Sequence, residues 1–329
     1  MTTNRRVALQ AFAGAAALCL SPLAMSSMPK IGPRCRVIID NDFAGDPDGL
    51  FQFVHHLLSP TVDVRLVVGS HFKAMSEWGK SGRQSEDSAA KATEVMERMG
   101  LRSRPPVLAG AEAVLKDARQ AMRTPAAEAI IAEAMREDSP LPLFYCAGAG
   151  LTDLAMALSI EPRIAGRMTL AWIGGGEHSG LGLPLPGPRQ AEYNTTIDIK
   201  AVQAVFGHGD LDIWQVPRDV YRQMLVSHAE LDARVRPAGP LGAWLVDQID
   251  GILRMIAALP PSAGLRVGET YVLGDSPLVT LTALQTFFEP DTASSPFVTR
   301  PRPTITDEGW YGKPMQGKPV RVYTHIDTR

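Results

Sequence analysis

The sequence predicts an α/β fold: a mostly parallel central sheet with helices on both faces, in a single domain. Three observations predict it. Short β-branched runs alternate with stretches of helical spacing along most of the 329 residues. The run Arg36-Val37-Ile38-Ile39 is almost wholly apolar rather than alternating, as strands buried on both faces are. No repeat, low-complexity tract or charge run divides the chain, and the Gly/Pro-rich stretch 179–188 reads as a loop, not a linker.

Cys35-Arg36-Val37-Ile38-Ile39 is the first strand and ends in acidic residues. Residues 50–58 have helical spacing, closed by Ser59-Pro60. Residues 62–68 form the second strand, followed by Gly69-Ser70. Residues 88–99 read as a helix closed by Gly100. Pro106-Val107-Leu108-Ala109-Gly110 is a short strand and turn. A helix over 126–136 leads to a strand over 143–146, with Gly148 and Gly150 beyond it. A helix over 151–158 precedes a strand over 168–173 that runs into Gly174-Gly175-Gly176. Residues 198–206 are helical and 212–216 a strand. Long helices follow over 241–259 and 276–287, and residues 304–310 and 320–323 read as a loop and an edge strand.

A 45% hydrophobic share supports a sizeable core. Lys+Arg 33 against Asp+Glu 35 gives a net charge of -2, which excludes a bulk pull toward nucleic acid or anionic lipid. Three cysteines are too few for a disulfide scaffold, and their spacing fits no zinc site. Residues 1–27 read as a signal peptide of the twin-arginine type. Arg5-Arg6 precedes an apolar run over 7–20, and small residues stand at Ala24, Ser26 and Ser27. Such a leader implies a bacterial periplasmic or secreted protein whose mature domain is 28–329. The apolar run is too short for stable membrane insertion; the alternative is an N-terminal helix of the domain. Export removes Cys19 and leaves Cys35 and Cys146 able to pair if the fold brings them together.

The most informative segment is Asp40-Asn41-Asp42-Phe43-Ala44-Gly45-Asp46-Pro47-Asp48-Gly49. Four carboxylates fall within nine residues, directly after an apolar strand. The carboxyl ends of parallel strands carry ligands. Like charges packed together are costly unless solvated, protonated or shared with a cation. Hard oxygen donors favour Ca²⁺ or Mg²⁺ over zinc. Because Ca²⁺ takes about 6–8 oxygens, other ligands must come from distant chain. Asp275, between a strand-like run and an apolar helix, offers one, although alone it reads as a plain helix cap.

Further segments in order make the chain resemble the inosine–uridine-preferring nucleoside hydrolase superfamily. That family opens with a strand and a DxDPGxDD-type motif, and Asp40-Asn41-Asp42 with Pro47-Asp48 resembles a longer form of it. Pro106-Val107-Leu108-Ala109-Gly110-Ala111 resembles its PVxxGA segment. Leu151-Thr152-Asp153-Leu154-Ala155 resembles its LTNxA turn, and Ile173-Gly174-Gly175 its MGG strand end. Ala191-Glu192-Tyr193-Asn194 with Asp198 resembles AEFNxxxDP, and Gly274-Asp275-Ser276-Pro277 falls where the family has His-Asp-Pro.

The resemblance implies a doubly covered, Rossmann-like sheet, a homo-oligomer (dimer or tetramer), a nucleoside substrate and a Ca²⁺ cofactor. It implies metal ligands Asp42, Asp48, Asp275 and the Thr152 carbonyl, with Asp46 as an extra carboxylate. Asp42 would also be the general base. Glu192 and Asn194 would bind ribose hydroxyls, and Ser70 stands where the family has asparagine and keeps a polar group there; His71, by its place just after Gly69-Ser70, reads either as facing the pocket or as structural. The implied reaction is hydrolysis of the N-glycosidic bond of ribonucleosides by a water attacking directly.

Two departures stand out. Gly49 replaces a second adjacent aspartate, and Asp46 is expected to take that ligand's place. Gly274 replaces a histidine that helps the base leave. His178 reads first as a surface-loop histidine, with help to the leaving base as its functional alternative. Trp78 is a base-stacking candidate, Trp172 reads as core, and His55-His56 reads as structural. Two rival readings are a non-catalytic riboside-binding protein on the same fold and a haloacid dehalogenase-type phosphohydrolase with Asp40 as nucleophile.

Overall fold

Strand β1 (Cys35–Asn41) is entirely buried and pairs in parallel with β2 (Val62–Gly69) on one side and β4 (Leu143–Ala147) on the other. In this computed structural model, residues 31–73, 81–119, 122–260, 264, 266–284 and 295–327 are described. Residues 1–27, expected above to be a leader and including Cys19, lie outside them, as does Trp78. Helix α1 (Asp48–Leu58) follows β1, and α2 (Gln84–Arg98) follows β2. Strand β3 is Val107–Ala109, and α3 (Pro125–Ala134) leads into β4. Then come α4 (Thr152–Ile160), β5 (Thr169–Ile173), α5 (Tyr193–Ile197), α6 (Ile199–Gly207) and β6 (Asp212–Val216). A small antiparallel pair, β7 (Leu225–Ser227) and β8 (Thr270–Val272), brackets the long helix α7 (Pro240–Ala257). Helix α8 (Pro277–Thr282) precedes β9 (Phe297–Arg300), the hairpin of β10 (Pro303–Ile305) and β11 (Tyr311–Pro314), and β12 (Val320–Tyr323).

The eight-stranded sheet runs β3-β2-β1-β4-β5-β6-β12-β9 and is parallel except for β9 against β12. The strand order reverses at β1, which lies between β2 and β4. Connections therefore leave to opposite sides and open a crevice beyond the carboxyl ends of these strands, the usual ligand position in such sheets. The period of two along β1 divides the interior. Val37 and Ile39 join one core with Phe43, Phe53 and Leu278, whereas Ile38 joins the other with Tyr145, Leu154 and Val202. The described residues from 32 onward form one compact unit. Among the described residues, no helix is long and apolar enough to cross a membrane.

The predicted fold class holds, and three local expectations are corrected. Residues 320–323 are not an edge strand. Val320, Val322 and Tyr323 are buried between β6 and β9, and the guanidinium of Arg321 lies over the rings of Trp214 and Phe297. The edge is β9, too short and mixed to stand out in sequence. Residues 304–310 are not all loop: Thr304 and Ile305 belong to β10, and 306–310 connect it to β11. Cys35 and Cys146 are free, buried thiols, and register sets Cys146 opposite Ile39, well along β1 from Cys35.

Candidate functional site

The acidic segment distributes its carboxylates by strand period. Asp40 shares the face of Ile38 and is completely buried, accepting hydrogen bonds from the hydroxyls of Ser70 and Tyr145. Asn41 turns to the opposite face, toward α1. Asp42 lies just past the strand and is nearly buried, and the following turn is closed by the Gly45 N–H on the Asp42 carbonyl at 2.6 Å. Asp46 stands exposed on the rim, where it accepts from the Tyr271 hydroxyl and from the Asp48 N–H. Asp48 opens α1. Its Oδ2 accepts the Asp275 backbone N–H at 3.1 Å, so residues 227 positions apart meet at one point. Asp275 is buried in the loop between β8 and α8.

Among the described residues, no Lys, Arg or His forms an ion pair with Asp42, Asp48 or Asp275. Burial pushes the Asp42 and Asp48 carboxyls well above the usual range, and the neighbouring Asp275 and Asp46 push them further. Burial also carries Asp275 up to about 7, against the hydrogen bond from Asn41. Uncompensated buried carboxylates must be neutralised by protons or by a cation. The donor set, all hard oxygen, fits a divalent ion such as Ca²⁺. Among the described residues, the side chains do not already form a closed cluster of three His, Cys, Asp or Glu ligands. The fit therefore rests on donor chemistry and on the mutual repulsion of these groups. Thr152 begins α4 at the end of β4, and its hydroxyl donates to Asp198 Oδ2 at 2.8 Å, which leaves its carbonyl as the candidate ligand.

The Gly49 departure has a steric explanation. A Cβ at residue 49 would stand 2.7 Å from Asn41 Nδ2, and one at Gly148 would meet the same amide and Asp275 Oδ2. The Asn41 side chain fills the space that a larger residue at 49 would need. Its Nδ2 donates to Asp275 Oδ2 at 2.8 Å and to Gln52 Oε1 at 3.3 Å, and its Oδ1 accepts the Asp42 N–H at 2.9 Å.

The residues expected to touch a sugar are mostly committed to the scaffold. Glu192 caps α5 by accepting the N–H groups of Asn194 and Thr195, each at 2.9 Å, and also accepts from Gly175 N–H and the Tyr221 hydroxyl. Asn194 donates to the carbonyls of Gly148 and Ile173 at 2.9 and 2.8 Å, which leaves its Oδ1 as its unassigned atom. The Ser70 hydroxyl faces Asp40. His71 Nδ1 donates to the Ala111 carbonyl, while its buried Nε2 has no hydrogen-bond partner among the described residues. Trp172 is core, with its indole N–H on the Ala149 carbonyl. His178 is not a surface histidine: it is buried, bonded to Gln215 and stacked on Tyr311 with ring centroids 4.3 Å apart. The loop folds back because β10–β11, from the far end of the chain, covers it.

Sequence reasoning missed Tyr221. A Cβ at Gly274 would lie 3.4 Å from its ring, so this phenol borders the position where a histidine is absent. Its signal was weak, a single tyrosine after β6. Sequence reasoning also missed the second buried layer, in which Asp153 accepts the Ala111 N–H and burial lifts its carboxyl to about 7. A cavity of about 870 Å³ is lined in part by Gly176, Glu177, His178, Arg218, Arg300 and Trp310; Asp42, Asp48 and Asp275 do not line it. Gly175 holds φ +88°, with the Tyr311 hydroxyl where a side chain would be, so only glycine suits this turn.

Comparison with known proteins bears on this geometry. Residues 37–267 match the family model described as inosine-uridine preferring nucleoside hydrolase. An inosine-uridine preferring nucleoside hydrolase of Leishmania major is 32% identical over 121 residues, a stretch covering 36% of each chain. The match thus spans about a third of that curated relative. Among solved structures, a plant nucleoside hydrolase superposes with TM-score 0.67 at 18% identity, over 90% of this chain and 96% of its own. An inosine-uridine preferring nucleoside hydrolase from Bacillus anthracis gives 0.62 at 18% identity, over 89% and 95%. These likenesses concern the fold.

Proposed function

Since the chain belongs to the inosine-uridine preferring nucleoside hydrolase family, we propose that it hydrolyses the N-glycosidic bond of ribonucleosides, releasing base and ribose. The observation that carries this reading is that Asp48 accepts the Asp275 backbone N–H and that Asp42 and Asp48 both lie within electrostatic reach of Asp275, with no ion-paired Lys, Arg or His among the described residues to balance them. We assign Asp42, Asp48, Asp275 and the Thr152 carbonyl as holding Ca²⁺, with Asp46 reaching in from the rim.

When bound, the ion supplies charge that orients and acidifies water and grips a sugar diol. Asp42, at the exit of β1, takes the proton of the attacking water; such base assistance is worth about 10²–10⁴-fold. The anionic floor stabilises the oxocarbenium-like charge that develops on the sugar as the bond breaks. Asn194 Oδ1 and His71 Nε2 are the groups with capacity left for sugar hydroxyls. Glu192 acts by fixing the start of α5 and orienting Tyr221. Direct attack by water predicts inversion at the anomeric carbon. Asp40 is sealed between Ser70 and Tyr145, where it has no access to a substrate phosphate; this speaks against the phosphohydrolase alternative. The saturated Glu192 and Gly274 favour, as a second reading, a protein that binds ribosides without turnover.

A reducing-sugar assay across a nucleoside panel separates these readings. Turnover abolished by EGTA, and reduced about 10²-fold or more in Asp42→Asn, is the expected result. Calcium-independent turnover, or full activity in Asp42→Asn, defeats the mechanism; riboside binding by calorimetry without base release supports the binder. We further propose export by the 1–27 leader and assembly as a dimer or tetramer, tested by periplasmic fractionation and by light scattering.

A further inference from the structure

A closed ring of hydrogen bonds runs beneath Asp275, and its direction is fixed at both ends by backbone groups. The Leu278 carbonyl can only accept, and Thr282 Oγ1 donates its one proton there at 2.6 Å. Thr282 Oγ1 must then accept from His56 Nε2, 2.9 Å away. That places the imidazole proton on Nε2 and leaves Nδ1 as an acceptor for the Gln52 Nε2 amide. Gln52 Oε1 consequently faces Asn41 and accepts from its Nδ2. From the other end, the Asp42 N–H can only donate, and it does so to Asn41 Oδ1. Both ends demand the same orientation of Asn41, with its amide N–H edge on Asp275 Oδ2 at 2.8 Å. The Leu278 N–H donates back to the Asp275 carbonyl at 3.1 Å and completes the circuit. Gln52, His56 and Thr282 are all buried, and burial holds His56 neutral by pushing its imidazole down to about 3.

We propose that Gln52, His56 and Thr282 are positioning residues that lock the Asn41 amide onto one oxygen of Asp275, so that Asp275 offers its other oxygen alone to the bound cation. The inference rests on the reading of Asp275 as a cation ligand. It gives His56, on the inner face of α1, a task beyond filling the core, and it explains why an amide occupies the space beside Gly49. A ligand carboxylate held by an oriented partner binds its ion more tightly; loss of such a partner typically costs about 10–100-fold in affinity.

The test is Ca²⁺ calorimetry on the full chain with Thr282→Val, which keeps shape and removes the hydroxyl, and Thr282→Ser, which keeps the hydroxyl. Thr282→Val is expected to weaken Ca²⁺ binding about 10-fold, and Thr282→Ser to leave it unchanged. If Thr282→Val does not fold, Gln52→Met interrupts the same circuit with a side chain of similar length and carries the same expectation. Nitrogen-15 NMR of the wild type, independent of metal and activity, is expected to show His56 neutral with its proton on Nε2. A proton on Nδ1 overturns the proposal, as does unaltered Ca²⁺ affinity in whichever apolar variant folds. A wild-type protein that binds no divalent ion removes the cation reading as well, so the two failures are told apart.

Discussion

At the scale of single residues, Asn41 and Gly49 decide how the acidic motif departs from its relatives. Gly49→Asp would restore an adjacent carboxylate, but its Cβ would meet the Asn41 amide at 2.7 Å and the carboxamide carbon at 3.0 Å. Overpacking of this kind costs about 1–3 kcal/mol. Gly49→Asp alone is therefore expected to lower the thermal midpoint without tightening Ca²⁺. With Asn41→Ala added, space opens, and the double variant is expected to regain stability in Ca²⁺ and to bind it more tightly than Gly49→Asp does. Calorimetry and thermal melts of the single and double variants check both statements; a Gly49→Asp protein as stable as wild type would contradict the steric account. The sequence makes the missing carboxylate at 49 legible. It does not show what fills the gap, because Asn41 meets Asp275 across 234 positions and only the folded sheet brings them together.

At the scale of elements, Asp198 ties three segments to the site. Its Oδ1 caps α6 through the Ala201 N–H at 3.0 Å, while its Oδ2 accepts from the Leu115 N–H and the Thr152 hydroxyl, both at 2.8 Å. Asp198→Ala loses the cap and strands two buried donors, a loss of about 3 kcal/mol or more. Because Thr152 opens α4 and offers its carbonyl to the cation in our assignment, this variant is also expected to bind Ca²⁺ more weakly in the folded protein. Chemical denaturation and calorimetry measure the two effects separately; lost stability with unchanged Ca²⁺ affinity would remove Thr152 from the ligand set. Element types were legible wherever apolar period was strong, as in β1, β2, α1 and α6. Helix ends and β12 were less so. Helix α2 begins at Gln84 because the Glu112 carboxylate, from the loop after β3, accepts the Ser85 and Glu86 N–H groups. The alternation in Val320-Arg321-Val322-Tyr323 mimics a half-exposed strand because aromatic rings shelter Arg321.

At the scale of the whole molecule, the buried carboxylates set a pH dependence whose sign follows from their direction. Asp40, Asp42 and Asp48 are raised well above the usual range by burial, and Asp153 and Asp275 to about 7. In the unfolded chain an aspartate titrates near about 3.9. Between these values these carboxylates hold more protons in the folded, metal-free protein than in the unfolded chain, and they outweigh His55, His56, His178 and His208, which burial lowers and which act in the opposite sense. The protein's stability therefore falls as pH rises from about 4 through 7, opposite to the behaviour of ion-paired aspartates. Cation binding reverses the balance, since it requires the ionised carboxylates and releases their protons. In EDTA, the thermal midpoint is expected to be higher at pH 5 than at pH 8. In saturating Ca²⁺ the added stability is expected to be greater at pH 8 than at pH 5, where protons compete for the same oxygens. Differential scanning calorimetry at both pH values, with and without Ca²⁺, tests the account. A metal-free midpoint that rises from pH 5 to pH 8 would mean that these carboxylates are already neutralised within the protein, and the electrostatic case for a cation at the switch point would go with it.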